Sequence, residues 1–270
     1  MRFRFAPPDW LIYGAIVTAM LLYANRQQPG PTPPAPPPPE LGDLLPSESP
    51  RDERILVQVE RPRSGIGTAF ASDADGEWIT ARHVVDSCDS IGVKIGARRL
   101  LRVAESEIYE NADLARLRTG WARTPLPVDV GSRRQIGETG YFFGFPQGKP
   151  GEVVGRLLSR GRMEVRGRYR SDEPVLIWTE VVRTIGLKGS LGGLSGAPVL
   201  DADGEVVGVV SAETPRRGRV YTVAPRILAQ LVDDDDANAV PISGDDYALQ
   251  ADRLRRDRRI AQVVCLNRDG

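Results

Sequence analysis

Residues 67–85 read GTAFASDADGEWITARHVV, and residues 196–214 repeat the same plan as GAPVLDADGEVVGVVSAET. Each stretch holds two short apolar runs separated by DADG. Asp-Gly between such runs is typical of a tight hairpin turn. A calcium site is not favoured, because the acidic pattern of a calcium-binding loop continues well beyond four residues. The sequence therefore predicts two similar β units, one ending on His83 and the other beginning just after Ser195.

The two units belong to a longer β pattern. Between Ile55 and Thr222, ten short apolar runs alternate with Gly, Pro and Asp turns, which is typical of a barrel or a sandwich. After this region, residues 224–232 (APRILAQLV) predict a short helix. Residues 243–259 begin with a Ser-x-x-Asp start signal and predict a second helix, and residues 260–266 (IAQVVCL) predict a final strand.

The composition limits the class of partner. The chain has 270 residues with 41% hydrophobic content, which is enough for a large core. Its 36 basic and 36 acidic residues give a formal net charge of zero, so no global field attracts nucleic acid or acidic lipid. No nucleic-acid partner is predicted.

The N-terminal part differs from the rest. Residues 10–24 (WLIYGAIVTAMLLYA) carry no charge and have arginines on both sides, which predicts a transmembrane signal anchor over residues 10–25 with residues 1–9 in the cytoplasm. A cleaved signal peptide is the alternative. Residues 26–52 are rich in proline and predict an extended spacer. The remainder would then lie outside the inner membrane, in the periplasm.

Two further features concern the globular part. Cys88 and Cys265 predict a disulfide in an oxidising compartment, and two buried free thiols are the alternative. Residues 162–170 (RMEVRGRYR) alternate basic and apolar positions, which predicts an amphipathic strand with a solvated basic face. An exosite for acidic partners is a second interpretation of that face.

Three stretches together indicate a chemistry: ITARHVV with His83, NADLARL with Asp113, and GGLSGAPVL with Ser195. A serine hydroxyl is a poor nucleophile at neutral pH and needs a neighbouring base, which a neutral imidazole supplies. A carboxylate behind the imidazole fixes its tautomer. A buried structural histidine is the alternative for His83. A metal site is not favoured, because the chain has one histidine and its cysteines lack paired ligand spacing.

These stretches, in the order His, Asp, Ser, resemble the signature segments of the trypsin-like, chymotrypsin-fold serine proteases, in the style of the bacterial periplasmic HtrA type. The resemblance covers about residues 55–232. It implies an all-β domain over residues 53–232, with two six-stranded antiparallel β-barrels and an active site between them. Residues 233–270 would form an extension with an acidic loop, a helix and a strand, and no peptide-binding PDZ domain is expected.

The resemblance also implies residue roles. The protein would be a serine endopeptidase that cleaves peptide or protein substrates through an acyl-enzyme, without cofactor or metal. The implied site comprises the triad of His83, Asp113 and Ser195; the oxyanion-hole amides of Gly193 and Ser195; and a specificity pocket with Gly189, Ser190, Ser211, Glu213, Arg219 and Thr222. The absence of an acidic residue clearly placed at the pocket base favours small or aliphatic residues at the cleaved position.

The sequence departs from the family at two positions. Leu194 stands where digestive relatives carry an aspartate that pairs with a newly cut N-terminus, so activation of that kind is not expected. Ala197 replaces the second glycine of the serine motif. Leu194 also gives weight to a second function class, a catalytically silent protease-like domain that binds peptides or a partner.

Overall fold

The structure, a computed structural model, describes residues 9–26, 33–60, 64–96, 98–121, 123–231 and 238–268. The helices are α1 (Asp9–Arg26), α2 (Arg82–Val85), α3 (Pro225–Leu228) and α4 (Tyr247–Arg256). The strands of the first sheet are β2 (Gly65–Ala71), β3 (Glu77–Thr80), β4 (Ser90–Gly96), β5 (Arg99–Arg102), β6 (Glu105–Ile108), β7 (Ala115–Arg118) and β14 (Ile260–Leu266). Those of the second are β1 (Glu53–Val59), β8 (Thr139–Gly144), β9 (Gly151–Gly167), β10 (Ser171–Arg183), β11 (Pro198–Leu200), β12 (Val206–Thr214) and β13 (Arg219–Val223).

The predicted β architecture and both predicted hairpins are confirmed. The first DADG turn joins β2 to β3 and the second joins β11 to β12, each as an antiparallel pair. In the amphipathic strand, Met163 and Val165 are buried while Arg166 is exposed. The predicted helix over residues 224–232 is limited to the four residues of α3.

The second barrel closes on itself. Strand β8 pairs with β11 on one side and with β9 on the other, so the six strands β8 to β13 form a continuous ring. Phe142 and Trp178 pack edge to face in its core, with ring centroids 5.6 Å apart, a favoured arrangement for aromatic pairs. The six-stranded second barrel is therefore as predicted.

The first barrel uses a strand from the other end of the chain. Strand β14 lies between β2 and β4 and is antiparallel to both. At the far side, Val103 N donates to Ile91 O and Ala104 N donates to Arg118 O, so the chain between β5 and β6 changes partner from β4 to β7. The prediction that residues 233–270 form an extension outside the protease domain is wrong for β14, whose backbone groups are paired on both sides.

Strand β1 does not join the first barrel. It runs parallel to β9 at the edge of the second sheet, with Ile55 opposite Met163 and Val57 opposite Val165. The side chains of Met163, Val165, Tyr169 and Val175 form a small buried cluster against which β1 packs. The expectation of purely antiparallel barrels is therefore corrected at this edge.

The N-terminal helix forms a unit of its own within residues 1–32, and residues 33–270 form the other unit. Among the residues that the structure describes, no helix combines the length and apolar content required to cross a membrane. The transmembrane anchor predicted for residues 10–25 is therefore not supported.

The proline-rich segment is attached to the second barrel. Gly42 N donates to Ile136 O at 2.8 Å, and Leu45 N donates to Arg134 O at 2.7 Å. The Leu45 side chain is buried in the core of that barrel. The free spacer predicted for residues 26–52 is therefore wrong over the part that makes these contacts, because burial of Leu45 holds the segment in place. Residues 27–32, and the acidic run at 233–236, lie outside the described residues.

Candidate active site

Two of the predicted triad residues meet at one edge of the first barrel. His83 lies on α2, directly after β3, and Asp113 lies just before β7. His83 Nδ1 is 2.8 Å from Asp113 Oδ2, and the His83 backbone N–H donates to Asp113 Oδ1 at 2.9 Å. Because β3 and β7 are paired, the ends of both strands place these side chains together.

The Asp113 carboxylate is buried and has two more donors from the second sheet. Tyr169 Oη donates to Oδ1 at 2.7 Å, and Ser211 Oγ donates to Oδ2. Burial alone would raise the pKa of Asp113, but the neighbouring His83 and the hydrogen bonds lower it to about 2. Asp113 is therefore an anion held by donors from both barrels.

A second carboxyl lies behind the first. Both oxygens of Glu173 accept from the Asp113 backbone N–H at 2.9 Å, and the Glu173 side chain has no exposed surface. Burial, followed by the negative charge of Asp113, raises the pKa of Glu173 well above its usual range. These effects favour the neutral form of Glu173, and Asp113 carries the negative charge of the pair.

The His83 imidazole has a raised pKa. Its burial would lower that pKa, but the charge of Asp113 and the hydrogen bond to it more than offset burial and the opposing charge of Arg168. Arg168 also donates to the His83 backbone oxygen at 2.9 Å. The imidazole is thus held by a hydrogen bond at Nδ1, which leaves Nε2 to accept a proton.

Ser195 lies in the turn that leads into β11. Thr68 on β2 holds this turn at two points: its N–H donates to Ser195 O at 2.8 Å, and its Oγ1 donates to Gly193 O at 2.8 Å. Gly193 has φ +96° and Gly196 has φ +84°, a backbone region that favours glycine. The motif's two glycines are therefore required by the shape of the turn.

The backbone amides of this turn are open. Gln147 N donates to Gly192 O, which directs the carbonyl of the Gly192–Gly193 peptide toward the loop after β8 and its N–H to the opposite side. Within the described part of the chain, neither Gly193 N nor Ser195 N donates a hydrogen bond to a protein acceptor. These two amides are available for an oxyanion.

The serine turn packs against the segment that carries His83. A Cβ atom on Gly196 would lie 2.3 Å from Thr80 Oγ1 and 2.8 Å from Ala81 N, so the turn touches the two residues before α2. Among the described residues, no hydrogen bond joins Ser195 Oγ to His83. In substrate-free enzymes this bond is often long or poorly aligned.

The predicted pocket residues divide into two groups. Glu213 Oε1 accepts from Ser190 Oγ at 2.5 Å and from Leu191 N at 2.7 Å. This contact bridges β12 to the loop between β10 and β11, where Gly189 O accepts from Arg183. The carboxylate of Glu213 therefore narrows the predicted specificity pocket between β12 and the loop that carries Ser190 and Leu191.

The other three predicted pocket residues have different contacts. Ser211 binds Asp113, as described above. Thr222 is fully buried and accepts from Trp178 Nε1 at 3.0 Å, so it cannot contact a substrate. Arg219 is paired with Glu53 of β1. Their assignment to the pocket is corrected, because each side chain is engaged within the protein.

Leu194 and the cysteines stabilise the site. The Leu194 side chain is buried in the core of the second barrel, so apolar packing anchors the serine turn where the digestive relatives use an ion pair. Cys88 and Cys265 form a disulfide between the segment after α2 and β14, which confirms the prediction.

An acidic cluster lies at the second DADG turn. Asp129, Asp201 and Glu205 place carboxylate oxygens within 4.8 Å of one another. The Arg134 guanidinium is 3.1 Å from Asp201 and also contacts Asp129. Its charge offsets part of the negative charge of the cluster, and we assign no metal to it.

Sequence patterns did not indicate three residues of the site: Tyr169, Glu173 and Arg168. The alternation in residues 162–170 predicts that Tyr169 lies on the apolar face of a strand. The side chain is indeed buried, but its contact with Asp113 depends on how the β9–β10 hairpin meets the first barrel. No local motif carries that information.

The fold and the site define a serine protease of the chymotrypsin type. A sequence model of the trypsin-like peptidase domain matches residues 67–209, more than half of the chain. The protein therefore belongs to the trypsin-like peptidase family.

The curated relatives that the chain matches are named as serine proteases. The serine protease HhoB of Synechocystis sp. is 29% identical over 164 residues, covering 59% of this chain and 37% of its own length. A DegP-like periplasmic serine endoprotease of Pseudomonas putida is 26% identical over 171 residues, covering 63% of this chain and 33% of its own. The chain thus spans about a third of the length of these relatives.

Solved structures show the same fold. The active form of the Rv3671c protease from M. tuberculosis has a TM-score of 0.51 at 15% identity, covering 75% of this chain and 98% of that chain. Its inactive form has a TM-score of 0.50 at 20% identity, covering 62% and 87%. At these identities the likeness concerns the fold alone.

Proposed function

We propose that the protein is a serine endopeptidase in which His83, Asp113 and Ser195 act as a triad. The observation that carries the proposal is the His83–Asp113 hydrogen bond of 2.8 Å beside a serine turn with two free amides. The family is one of serine proteases, and the roles of these residues follow from their chemistry.

In the first step, Ser195 Oγ attacks the peptide carbonyl carbon while His83 Nε2 accepts the hydroxyl proton. Asp113 holds the tautomer with a proton on Nδ1 and stabilises the imidazolium. The carbonyl oxygen becomes an anion and accepts hydrogen bonds from Gly193 N and Ser195 N. Each donor of this type contributes about 3 to 4 kcal/mol to the transition state.

In the second step, the imidazolium donates its proton to the departing amine, and the carbon–nitrogen bond breaks to leave an acyl-enzyme on Ser195. Water then attacks the ester carbonyl, and His83 accepts the water's proton. The same proton returns to Ser195 Oγ as the ester bond breaks, releasing the carboxylic acid. The enzyme ends in its starting protonation state, and no cofactor takes part.

The pocket geometry supports cleavage after small or aliphatic residues. Glu213 spans the distance from β12 to Ser190 and Leu191, so a bulky side chain would have to displace a charged group that is already hydrogen-bonded. Breaking such contacts carries a free-energy cost. A methyl or short branched side chain meets no such obstacle.

An extracytoplasmic location forms part of the proposal. The Cys88–Cys265 disulfide is typical of oxidising compartments, and the Pseudomonas putida relative is named periplasmic. A membrane tether is not included, because α1 does not meet the requirements of a membrane span.

Labelling of the full-length protein with a fluorophosphonate probe tests the proposal. Wild type should be labelled, whereas Ser195→Ala and His83→Ala should not be, with circular dichroism to confirm that all three are folded. A folded wild type that takes no label and cleaves no unfolded protein would instead support the silent peptide-binding domain.

A further inference from the structure

A groove of about 640 Å³ opens beside the serine turn. Its walls are β4, β14, the C-terminal half of α4 and the loop after β8. Its charged lining consists of Lys94, Asp252, Arg255, Arg256 and Arg258. Four of these five side chains are basic, although the whole chain is neutral.

Three of the four basic groups have no acidic partner. Arg255 is buried in an ion pair with Glu152 and also contacts Asp252, and it fixes α4 to the base of the β8–β9 hairpin. By contrast, within the described residues Lys94, Arg256 and Arg258 take part in no salt bridge. The groove therefore has an uncompensated positive charge.

The backbone at Arg258 has an unusual conformation. Arg258 has φ +62°, in the left-handed region that residues with a Cβ atom rarely adopt. Arg258 lies between α4 and β14, and its side chain lines the groove.

The groove begins next to the oxyanion amides. A Cβ atom on Gly193 would lie 2.6 Å from Phe145 O and 3.4 Å from Gly148 N, and Phe145 and Gly148 also line the groove. Gln262 Nε2 on β14 donates to Gly148 O at 3.3 Å. One loop therefore touches the serine turn on one side and forms the groove wall on the other.

The strand register gives the direction of the groove. Thr68 on β2, Gln262 on β14 and Lys94 on β4 are consecutive register partners, so their side chains point to the same face of the sheet. Adjacent strands lie about 4.8 Å apart, which places Lys94 about 10 Å from Thr68. An extended peptide covers this distance in about three residues.

The groove shares no lining residue with the predicted specificity pocket. The specificity pocket, with Ser190 and Glu213, lies on the second barrel and receives the acyl part of a substrate. The groove lies across the serine turn from it, on the first barrel, where the chain after the cleaved bond would continue. We propose that this groove binds the segment following the cleaved bond and selects acidic residues about two to four positions beyond it.

This inference rests on the proposed function, and its test separates the two. Two internally quenched peptides would share all residues up to the cleaved bond and carry either Asp and Glu or Lys and Arg after it. A p-nitroanilide with the same acyl part has no residues beyond the bond. Each exposed ion pair changes affinity about two- to fivefold, so kcat/KM should favour the acidic peptide by about tenfold or more, and less at high salt.

The variant Arg256→Glu/Arg258→Glu should abolish or reverse this preference while p-nitroanilide hydrolysis stays unchanged. Arg133→Glu, an exposed arginine outside the groove, is the matched control and should keep the preference. Equal cleavage of both peptides by an enzyme that hydrolyses the anilide would overturn the inference and leave the proposed function intact.

A binding measurement keeps the inference testable without catalysis. Ser195→Ala should bind a fluorescent acidic peptide more tightly than the basic one in fluorescence anisotropy, and the charge reversals should remove the difference. If fluorophosphonate does not label wild type, this binding measurement alone tests whether the groove prefers acidic peptides. Equal affinity for both peptides would overturn the inference.

Discussion

The Asp113 carboxylate accepts more hydrogen bonds than any other group of the site, from His83, Tyr169 and Ser211. These donors come from both barrels. A displacement of either barrel would therefore change the hydrogen bonding of Asp113 and, through it, the orientation of the imidazole.

Replacing Asp113 by asparagine should lower kcat by about 10⁴-fold, because the amide favours the wrong imidazole tautomer. The pKa of His83 should fall, since burial would then act without the opposing carboxylate. His83 is the only histidine in the sequence, so NMR titration of its ring signals is unambiguous. Asp86→Asn, which changes a carboxylate that contacts Arg82 and Arg168, is the control. An unchanged His83 pKa in Asp113→Asn would contradict the triad.

The neutral state of Glu173 predicts a pH effect on stability. The folded protein retains a proton on Glu173, whereas the unfolded chain releases it above about pH 4.5. The free energy of unfolding should therefore fall as pH rises through the window between the unfolded and the raised folded pKa, by up to about 1.4 kcal/mol per pH unit. Glu173→Gln has no such proton, so its stability relative to wild type should increase with pH.

Urea unfolding of wild type and Glu173→Gln at several values between pH 5 and 8 measures this difference. Glu105→Gln, a change at an exposed carboxyl on β6, serves as control and should show a constant difference from wild type. A constant difference for Glu173→Gln as well would mean that Glu173 ionises normally in the folded protein.

At the scale of elements, the contact of Glu213 on β12 with the loop before Ser195 predicts which side chain the enzyme accepts at the cleaved position. Glu213→Gly should raise kcat/KM for Leu or Phe at the cleaved position about tenfold relative to Ala, because it removes the side chain between the pocket walls. Glu213→Gln keeps the volume and the acceptor and should retain the wild-type order. Anilide substrates that differ only in that residue provide the measurement, and an unchanged Phe-to-Ala ratio in Glu213→Gly would refute the assignment.

The sequence predicted the elements that are determined locally. The Asp-Gly turns specify the hairpins β2–β3 and β11–β12, since turn geometry and flanking alternation are encoded in neighbouring residues. Strands β5 and β6, with the sequences RLLR and ESEI, were not predicted, because they lack a clear apolar run. The apolar pattern of β14 predicted a strand, but its insertion between β2 and β4 depends on contacts far away in sequence.

In the site, too, local motifs were predictable from the sequence, whereas contacts between distant segments were not. The three motifs placed His83, Asp113 and Ser195 in one region from the resemblance alone. The corrections at Thr222 and Arg219 concern side chains whose direction depends on strand register, and one residue of shift reverses that direction. The contact of Tyr169 with Asp113 requires the packing of two barrels, which no single segment specifies.

At the scale of the whole molecule, the disulfide connects residues 177 positions apart. On the chain-entropy account, closing a loop of this length stabilises the folded state by about 5 kcal/mol. Reduction should therefore lower the urea midpoint of wild type and loosen α2, which carries His83, together with the segment after it. The double variant Cys88→Ser/Cys265→Ser should already have the lower midpoint and should not respond to reductant. Equal midpoints for oxidised and reduced wild type would contradict this expectation.

The position of β14 determines when the protein can become active during its synthesis. His83, Asp113 and Ser195 are all made before residue 200, yet the strand between β2 and β4 consists of residues 260–266. The first barrel therefore cannot close until residues 260–266 have left the ribosome or the export channel. A nascent protease whose cleft assembles only with β14 is kept from cleaving other proteins while the residues between Ser195 and β14 are still being made.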